Sequence, residues 1–355
     1  MKHSFGCTSS IIILMNTPIK KLTRKEIADH FKEDGLPKFR SKQAIEWIYK
    51  RGASSYDEMS NISKELRAKL AEEYPLYQPT VTDRQVSKDG TRKYLLGFEG
   101  GYSAETVGIP SSDGRLTVCC SSQAGCAMAC DFCATGKGGF KSNLEIGEIV
   151  DQVLTVQNDF GERVTNIVVM GQGEPLLNLP NVIEALRICN DKSLLGIGAR
   201  KITISTCGIV PGIEKLSEIE EQFTLAVSLH SAIQETRNSI MPGVKKYSLA
   251  DLKKALSQYI QRTNRRITFE YALMKNVNDS PEHLDSLIRY CDGLLCHVNL
   301  IPLNEVPESP YHPVTDSTML HWEKTLLSNG IETSIRNSRG GDIAGACGQL
   351  ANTHK

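Results

Sequence analysis

Three cysteines fall within eight residues of the stretch SSQAGCAMACDFCATGKGGF: Cys126, Cys130 and Cys133, spaced Cys-x3-Cys-x2-Cys. Three thiolates on one short loop suit a metal centre. A structural zinc site takes four tetrahedral ligands, usually as two separated pairs of Cys or His. No second pair follows, and the nearest candidate for a fourth ligand, Cys120, lies inside an expected strand. An iron-sulfur cluster is also normally held by four cysteines. Three leave one iron without a protein ligand, open to a small molecule that chelates through an amine and a carboxylate. The iron-sulfur reading is favoured and zinc remains open.

Other residues fit the same kind of ligand. MGQGEP offers the backbone of Gly171 and Gly173 together with Glu174, a set suited to an ammonium group. STCG, SLHS and LIPLN supply Ser205, Ser228, His230 and Asn304, where a ribose and an adenine could be held. Each alone reads as an ordinary turn or strand-end cap. Four of them on one rim point to a binding site.

That rim must be built by the elements between the motifs. From Arg115 onward, the apolar runs RLTVCC, NIVVMG, KITIST, FTLAVSLH, RITFEYALM and HVNLIPLN alternate with amphipathic helical stretches such as EIGEIVDQVLTVQ. Repeated strand-helix units imply an α/β fold with a parallel sheet. Six units allow a partial (βα)6 barrel or a doubly wound sheet, which periodicity does not separate. In both, ligands bind at the C-terminal ends of the strands, where each run here turns polar or glycine-rich. NGIETSIRNSRG adds a further strand before a glycine-rich tail. Upstream, residues 23 to 78 read as a small helical module opening on a Thr23–Glu26 capping box, and residues 79 to 110 as a hairpin with Asp89-Gly90 as a type I′ turn.

Composition narrows the class. The chain has 355 residues, 40% hydrophobic and 23% charged, which excludes disordered and fibrous classes. Eleven cysteines cluster around one motif instead of forming a secreted framework, which points to the reducing cytosol. The apolar run IIILM is too short for a signal-peptide core or a membrane span. Because Met15 follows it, the first residues read as a disordered extension or lie upstream of the true start. With 41 basic and 41 acidic residues, any nucleic-acid footprint must be local. LPKFRSKQAIEWIYKR, from Leu36 to Arg51, is the candidate: five basic residues against Glu46, interleaved with Phe39, Trp47 and Tyr49. A solvated helix face over an aromatic core stripe explains the same composition equally well.

Taken together, ETVGIP, CCSSQAGCAMACDFCATG, GFKSNL, MGQGEPLLN, STCGIVPGI, SLHS, RRITFEYAL, VNLIPLN and SRGGDIAGACGQL resemble the radical S-adenosylmethionine ribosomal RNA adenine-C2 methyltransferases, over roughly residues 20 to 350. The resemblance implies an open partial barrel with an N-terminal helical accessory domain. The expected division is an extension (1–20), an RNA-binding helical domain (21–80), a hairpin linker (81–112), the core (113–339) and a flexible tail (340–355). It implies one [4Fe-4S] cluster on Cys126, Cys130 and Cys133, and two S-adenosylmethionine molecules consumed per methylation. Gly173, Glu174, Ser205, Ser228, Leu229, His230 and Asn304 fall where that family contacts S-adenosylmethionine. Cys347 resembles the cysteine that is methylated and then linked to the base, Cys119 the one that resolves the link, and Glu105 the proton acceptor. The implied partners are 23S ribosomal RNA, transfer RNA and an electron donor such as flavodoxin, for a monomer without a membrane anchor. Small departures are Gln172, Cys207 and Gly345, where the family usually has Met, Val and Ala.

The chemistry explains the odd set. Carbon 2 of adenine is an electron-poor amidine carbon and does not attack a methyl sulfonium. A cysteine thiolate does. A radical generated from a second S-adenosylmethionine would then activate the S-methyl group for addition to the ring, and attack of Cys119 on the Cys347 sulfur would free the product and leave a transient disulfide. The extruded base must leave its stack, and the basic segment with Lys88, Arg92 and Lys93 of the hairpin is the expected RNA contact. The nearest alternative is the related adenine-C8 methyltransferase of the antibiotic-resistance type. A non-catalytic zinc-stabilised RNA-binding module is the other.

Overall fold

The computed structural model describes residues 17–307 and 309–351. Most of the expected N-terminal extension therefore lies outside the described residues. Its last residues are built into the fold: Ile19 is buried, and Lys20 Nζ pairs with Asp151 at 2.7 Å with both side chains buried.

The helical module follows. Helix α1 (Arg24–Glu33) opens on the expected box, the Thr23 side chain accepting from Glu26 N while Glu26 accepts from Thr23 N. Its Ile27 and Phe31, one turn apart, are buried, the spacing that puts two side chains on one face. They pack toward α2 (Lys38–Tyr49), which buries Ala44, Ile45, Ile48 and Tyr49. Helix α3 (Lys64–Glu73) starts at a Ser63 cap and buries Leu70. In α2 the aromatic residues divide: Tyr49 is core, while Phe39 is 51% exposed.

An antiparallel meander links this module to the core: β1 (Thr80–Val86), β2 (Arg92–Gly97) and β3 (Ser103–Pro110). The turn differs from the expected two-residue type. Gly90 N donates to Ser87 O, Ser87 N donates to Thr91 O, and Gly90 alone has a positive φ, of 85°. This is a three-residue loop closed by a left-handed glycine. The Asp89 carboxylate selects it by accepting from Thr91 N at 2.9 Å, which a type I′ turn with Asp89 itself left-handed would not give.

The core then runs β4 (Leu116–Cys119), β5 (Gln123–Gly125), α4 (Ala134–Lys137), β6 (Phe140–Asn143), α5 (Ile146–Phe160), β7 (Asn166–Val169), α6 (Leu179–Asn190), β8 (Ile202–Thr206), α7 (Val210–Leu216), β9 (Thr224–Ser228), α8 (Gln234–Ile240), α9 (Leu249–Thr263), β10 (Ile267–Leu273), α10 (Pro281–Cys291), β11 (Cys296–Pro302), α11 (Asp316–Ser328) and β12 (Glu332–Ile335). All six expected strands form, as β4 and β7 to β11, and NGIETSIRNSRG provides β12. The helices close on simple local signals. In α5, Ile149, Val150, Val153 and Val156 are buried and Gly161 ends the helix with φ 67°.

The sheet order is β1-β2-β3-β4-β7-β8-β9-β10-β11-β12, parallel from β4 onward. A doubly wound sheet reverses its strand order at a switch point. This one never does, so it is barrel-like in winding. It also ends on β1 and β12 without joining them, so the barrel is open. Val118, Ile167, Val169, Ile204, Leu225, Val227, Phe269, Val298 and Leu300 are buried along the parallel strands. Each such side chain stabilises by about 1.5–3 kcal/mol, which fixes the rim that follows. No helix among the described residues is long and apolar enough to cross a membrane.

Candidate active site

The strands deliver their C-terminal ends to one cavity of about 1030 Å³, open mouth included. Cys126, Cys130 and Cys133 enter it from the loop after β5, with Gly173 and Glu174 after β7, Ser205 near the end of β8, Ser228 at the end of β9 and His230 after it, Asn304 after β11, and Cys347 from the tail.

The thiol loop is tightly wound. Cys133 N donates to Cys130 O at 3.1 Å, and Cys126 N to Gly139 O at 2.9 Å. Gly125 has φ 74°, and a Cβ there would lie 1.9 Å from Gly139 O, so only glycine fits. Burial pushes the Cys126 thiol up to about 11, and burial together with the Cys133 and Cys126 sulfurs pushes Cys130 up further. Thiols that repel one another this way ionise together only against a strong positive charge, which an iron centre supplies. Among the described residues no three Cys, His, Asp or Glu converge on a single ion. A cluster spreads its ligands over several corners, and three thiols around a shared cavity fit that donor set.

The polar rim fits a nucleoside with an amino-acid arm. Gly173 has φ 97°, and a Cβ there would meet Gln123 Cβ at 2.5 Å. Glu174 is buried; its oxygens accept from Leu176 N at 2.9 Å and Cys207 N at 2.7 Å, and burial raises its pKa. His230 takes the left-handed conformation (φ 54°), and its Nδ1 accepts from Ala272 N at 3.0 Å, leaving the ring proton on Nε2. Burial, then Arg237, lowers its pKa to about 3, so the ring is neutral. It meets Phe132 edge-on at 4.9 Å. Leu229 is the exception: its side chain is buried outside the cavity lining and its backbone N donates to Glu270 O, so any contact with a ligand is through backbone.

The catalytic candidates separate into two groups. Cys119 and Cys347 line a second cavity that adjoins the first, together with Cys133, Met170 and Arg336. Burial, then the Cys347 sulfur, pushes the Cys119 thiol up to about 12. Glu105 lies outside both linings. It is 1% exposed, its Oε1 lies 3.0 Å from Lys93 Nζ, and its Oε2 accepts from Ala351 N at 2.7 Å. The glycine-rich tail is thus strapped across the site: Gly348 O accepts from Ala134 N, Leu350 O from Thr135, and Cys347 O from Asn304 Nδ2 at 3.1 Å. At its start Gly340 N donates to Asp89, and Asp342 accepts from Ser87.

Of the expected RNA contacts, Lys93 is internal and Arg92 is half-buried and already engaged. Lys93 is buried with Glu105, and Arg92 pairs with Asp159 at 2.7 Å and lies over Phe160. Only Lys88 of the three keeps an exposed side chain. A strand pattern cannot show that β2 turns Lys93 inward. Sequence reasoning also passed over Arg336 and Glu270, although Arg336 follows β12 at the same rim that flagged the others. Of the departures, Gln172 is buried and its Oε1 accepts from Glu105 N, tying β3 to the end of β7.

An open parallel barrel with three thiols at its C-terminal rim defines a radical S-adenosylmethionine enzyme, and the model of the radical SAM superfamily matches residues 120–288. The model of the ribosomal RNA large subunit methyltransferase N-terminal domain matches residues 17–75. Relatives named probable dual-specificity RNA methyltransferase RlmN include one from Clostridium novyi, 46% identical over 94% of this chain and 97% of the relative, and one from Synechocystis, 46% identical over 95% of each. The crystal structure of a radical SAM methyltransferase from Sphaerobacter thermophilus superimposes with a TM-score of 0.90 at 40% identity, covering 95% of this chain and all of that one. The chain belongs to the dual-specificity RNA methyltransferase RlmN family.

Proposed function

We propose that the protein methylates carbon 2 of an adenine in 23S ribosomal RNA and in transfer RNA. The observation that carries this reading is that Cys119, on β4, and Cys347, on the tail, line one cavity beside the three-thiol loop. A structural metal loop gives no reason for two further sulfurs there.

Cys126, Cys130 and Cys133 would hold a [4Fe-4S] cluster. Gly173, Glu174, Ser205, Ser228, His230 and Asn304, with the Leu229 backbone, would hold S-adenosylmethionine. When bound, the pair supplies the methyl group and the radical chemistry that activates it. Cys347 accepts the methyl on sulfur and presents it to the base. Glu105 accepts the ring proton, which requires that Ala351 N–H leave its carboxylate, so the tail moves during turnover. Cys119 attacks the Cys347 sulfur: the sulfur–sulfur bond forms, the sulfur–carbon bond breaks, and its electron pair stays with the product carbon, which takes a proton from water or from protonated Glu105 to complete the methyl group. A donor such as flavodoxin or a cellular dithiol returns the two electrons to the disulfide. The N-terminal helical module would contact RNA through α2, where Arg40 lies over the exposed Phe39 ring and Arg51 over Trp47.

The test is anaerobic purification, iron analysis, and incubation with S-adenosylmethionine, reductant and an RNA fragment, followed by mass spectrometry of the nucleosides. A brown protein that yields 2-methyladenosine, with none from Cys347→Ala, is expected. 8-Methyladenosine would select the carbon-8 reaction, and a colourless zinc protein without product would overturn the assignment.

A further inference from the structure

Arg336 is the first residue beyond β12. Its backbone N–H donates to Leu300 O at 2.9 Å, continuing the strand pairing by one step onto the rim. Its Nη1 lies 3.4 Å from the Met170 sulfur and 3.7 Å from Glu270 Oε2. Glu270 stands on β10 between Ser228 and Asn299 of the flanking strands and is 4% exposed. Its Oε1 accepts from Asn299 Nδ2 at 3.0 Å, and Asn299 Oδ1 is held in turn by Ser334 Oγ at 2.8 Å. Glu270 Oε2 has no hydrogen-bond partner. A buried carboxylate oxygen with that exposure needs a nearby cation. Arg336 provides it, and the Asn299–Ser334 bracket keeps the carboxylate from turning away.

The guanidinium fixed in this way has a second neighbourhood. Arg336 and Cys347 both line the larger and the smaller cavity, and Cys119 lines the smaller. Among the described residues lining the larger cavity, Arg336 is the one Lys or Arg. The other titratable groups that face this space are Cys119 from β4, Cys126, Cys130 and Cys133 from the thiol loop, Glu174 after β7, Cys207 after β8, His230 after β9, Glu270 on β10 and the exposed Arg339 beyond β12. Thiols and carboxylates oppose a new anion, the imidazole is neutral, and the charge of Arg339 is screened by solvent. The Cys119 thiol in such surroundings reacts only when something stabilises its anion.

We infer that Arg336, tethered by Glu270, stabilises the anion that forms first on the Cys347 sulfur and then on the Cys119 sulfur as each attacks, with Glu270 as its positioning residue. This rests on the assignment of those two sulfurs to the reaction. The guanidinium does not itself carry a proton away, because it stays protonated throughout; its field favours the anion, and the proton leaves to water. The same cation serves both steps because both sulfurs share its cavity. Burial, then the Cys347 sulfur, leaves the Cys119 thiol raised to about 12 even with Arg336 opposing, so Cys119 rests as a thiol and the cation acts as it ionises to attack.

The test is the rate at which iodoacetamide alkylates Cys347, followed by peptide mass spectrometry across the pH range in which thiols ionise, on anaerobic cluster-loaded protein without S-adenosylmethionine. Arg336→Gln should slow alkylation near neutral pH by about tenfold, the rate lost when the nearby positive charge no longer stabilises the attacking anion. Arg336→Lys should recover most of the rate, since it restores charge without the planar fork. Glu270→Gln should fall between them. Iron content equal to that of the parent shows that the variants fold and load. Superimposable profiles for Arg336→Gln and the parent, at equal iron, would overturn the inference while leaving RNA methylation intact. Arg336-dependent alkylation without any methyladenosine product would support it and overturn the reaction assignment instead.

Discussion

The Lys93 ammonium lies 3.0 Å from the Glu105 carboxylate, with the two side chains 5% and 1% exposed. The pair joins neighbouring strands of the meander, and Lys93 Nζ also reaches Ala344 O of the tail at 3.3 Å. Removing one partner strands the other charge in the interior. Lys93→Met is therefore expected to destabilise the fold by about 3–5 kcal/mol, read from the midpoint of urea unfolding. A change below 1 kcal/mol would show that the pair is solvated in solution.

In the proposed reaction Cys119 and Cys347 divide the work, so their variants should fail differently. On that reading Cys119→Ala keeps the sulfur that takes the methyl and loses the one that releases the product. It should accumulate a covalent protein–RNA species on denaturing gels, whereas Cys347→Ala should form none. Equal behaviour of the two variants would remove the distinction drawn between them.

The Asp89 carboxylate anchors both ends of a small clamp, accepting from Thr91 N within the hairpin and from Gly340 N at the start of the tail. Partial burial works against its charge, yet the bonds from Thr91, Gly340 and Ser87 win and hold its pKa at about 2. A carboxyl lowered in the folded state stabilises above its unfolded value, here near 3.8, and loses that contribution as pH falls toward 2. The clamp should hold at neutral pH and loosen only in strong acid. In Asp89→Ala, amide hydrogen exchange at Gly340 should quicken by roughly tenfold at neutral pH, about the loss of one hydrogen bond.

His230 gives a pH dependence of the same sign in a higher window. Its folded pKa lies near 3 against 6.5 for a free imidazole, so between those values the unfolded chain binds the extra proton and stability falls as pH drops. The slope from this residue is at most about 1.4 kcal/mol per pH unit. A His230→Gln variant should lose less stability than the parent between neutral pH and pH 5, in matched urea titrations. Parallel losses would place the acid sensitivity elsewhere.

On α2, Lys38, Arg40 and Lys42 present a basic edge next to exposed Phe39. Changing all three to Glu should weaken RNA binding and reduce the slope of log affinity against log salt by about 2–3, in filter-binding titrations at several salt concentrations. An unchanged slope would place the RNA contact on another face.

What the sequence determined by itself is local or periodic. The Cys-x3-Cys-x2-Cys spacing lies on one loop, the apolar runs form the strands, the Thr23–Glu26 box starts the first helix, and Gly173 and Glu174 follow a strand, all of it chemistry between residues close along the chain. Winding was not legible, because a helical crossover of the same length serves a barrel or a doubly wound sheet; the order in which strands pair decides between them. Nor was the direction of Lys93, since its inward turn depends on Glu105 across the meander. Arg336 was invisible for the same reason. Its neighbours Glu270, Met170, Cys119 and Cys347 come from four separate parts of the chain, and only the curvature of the sheet gathers them around one guanidinium.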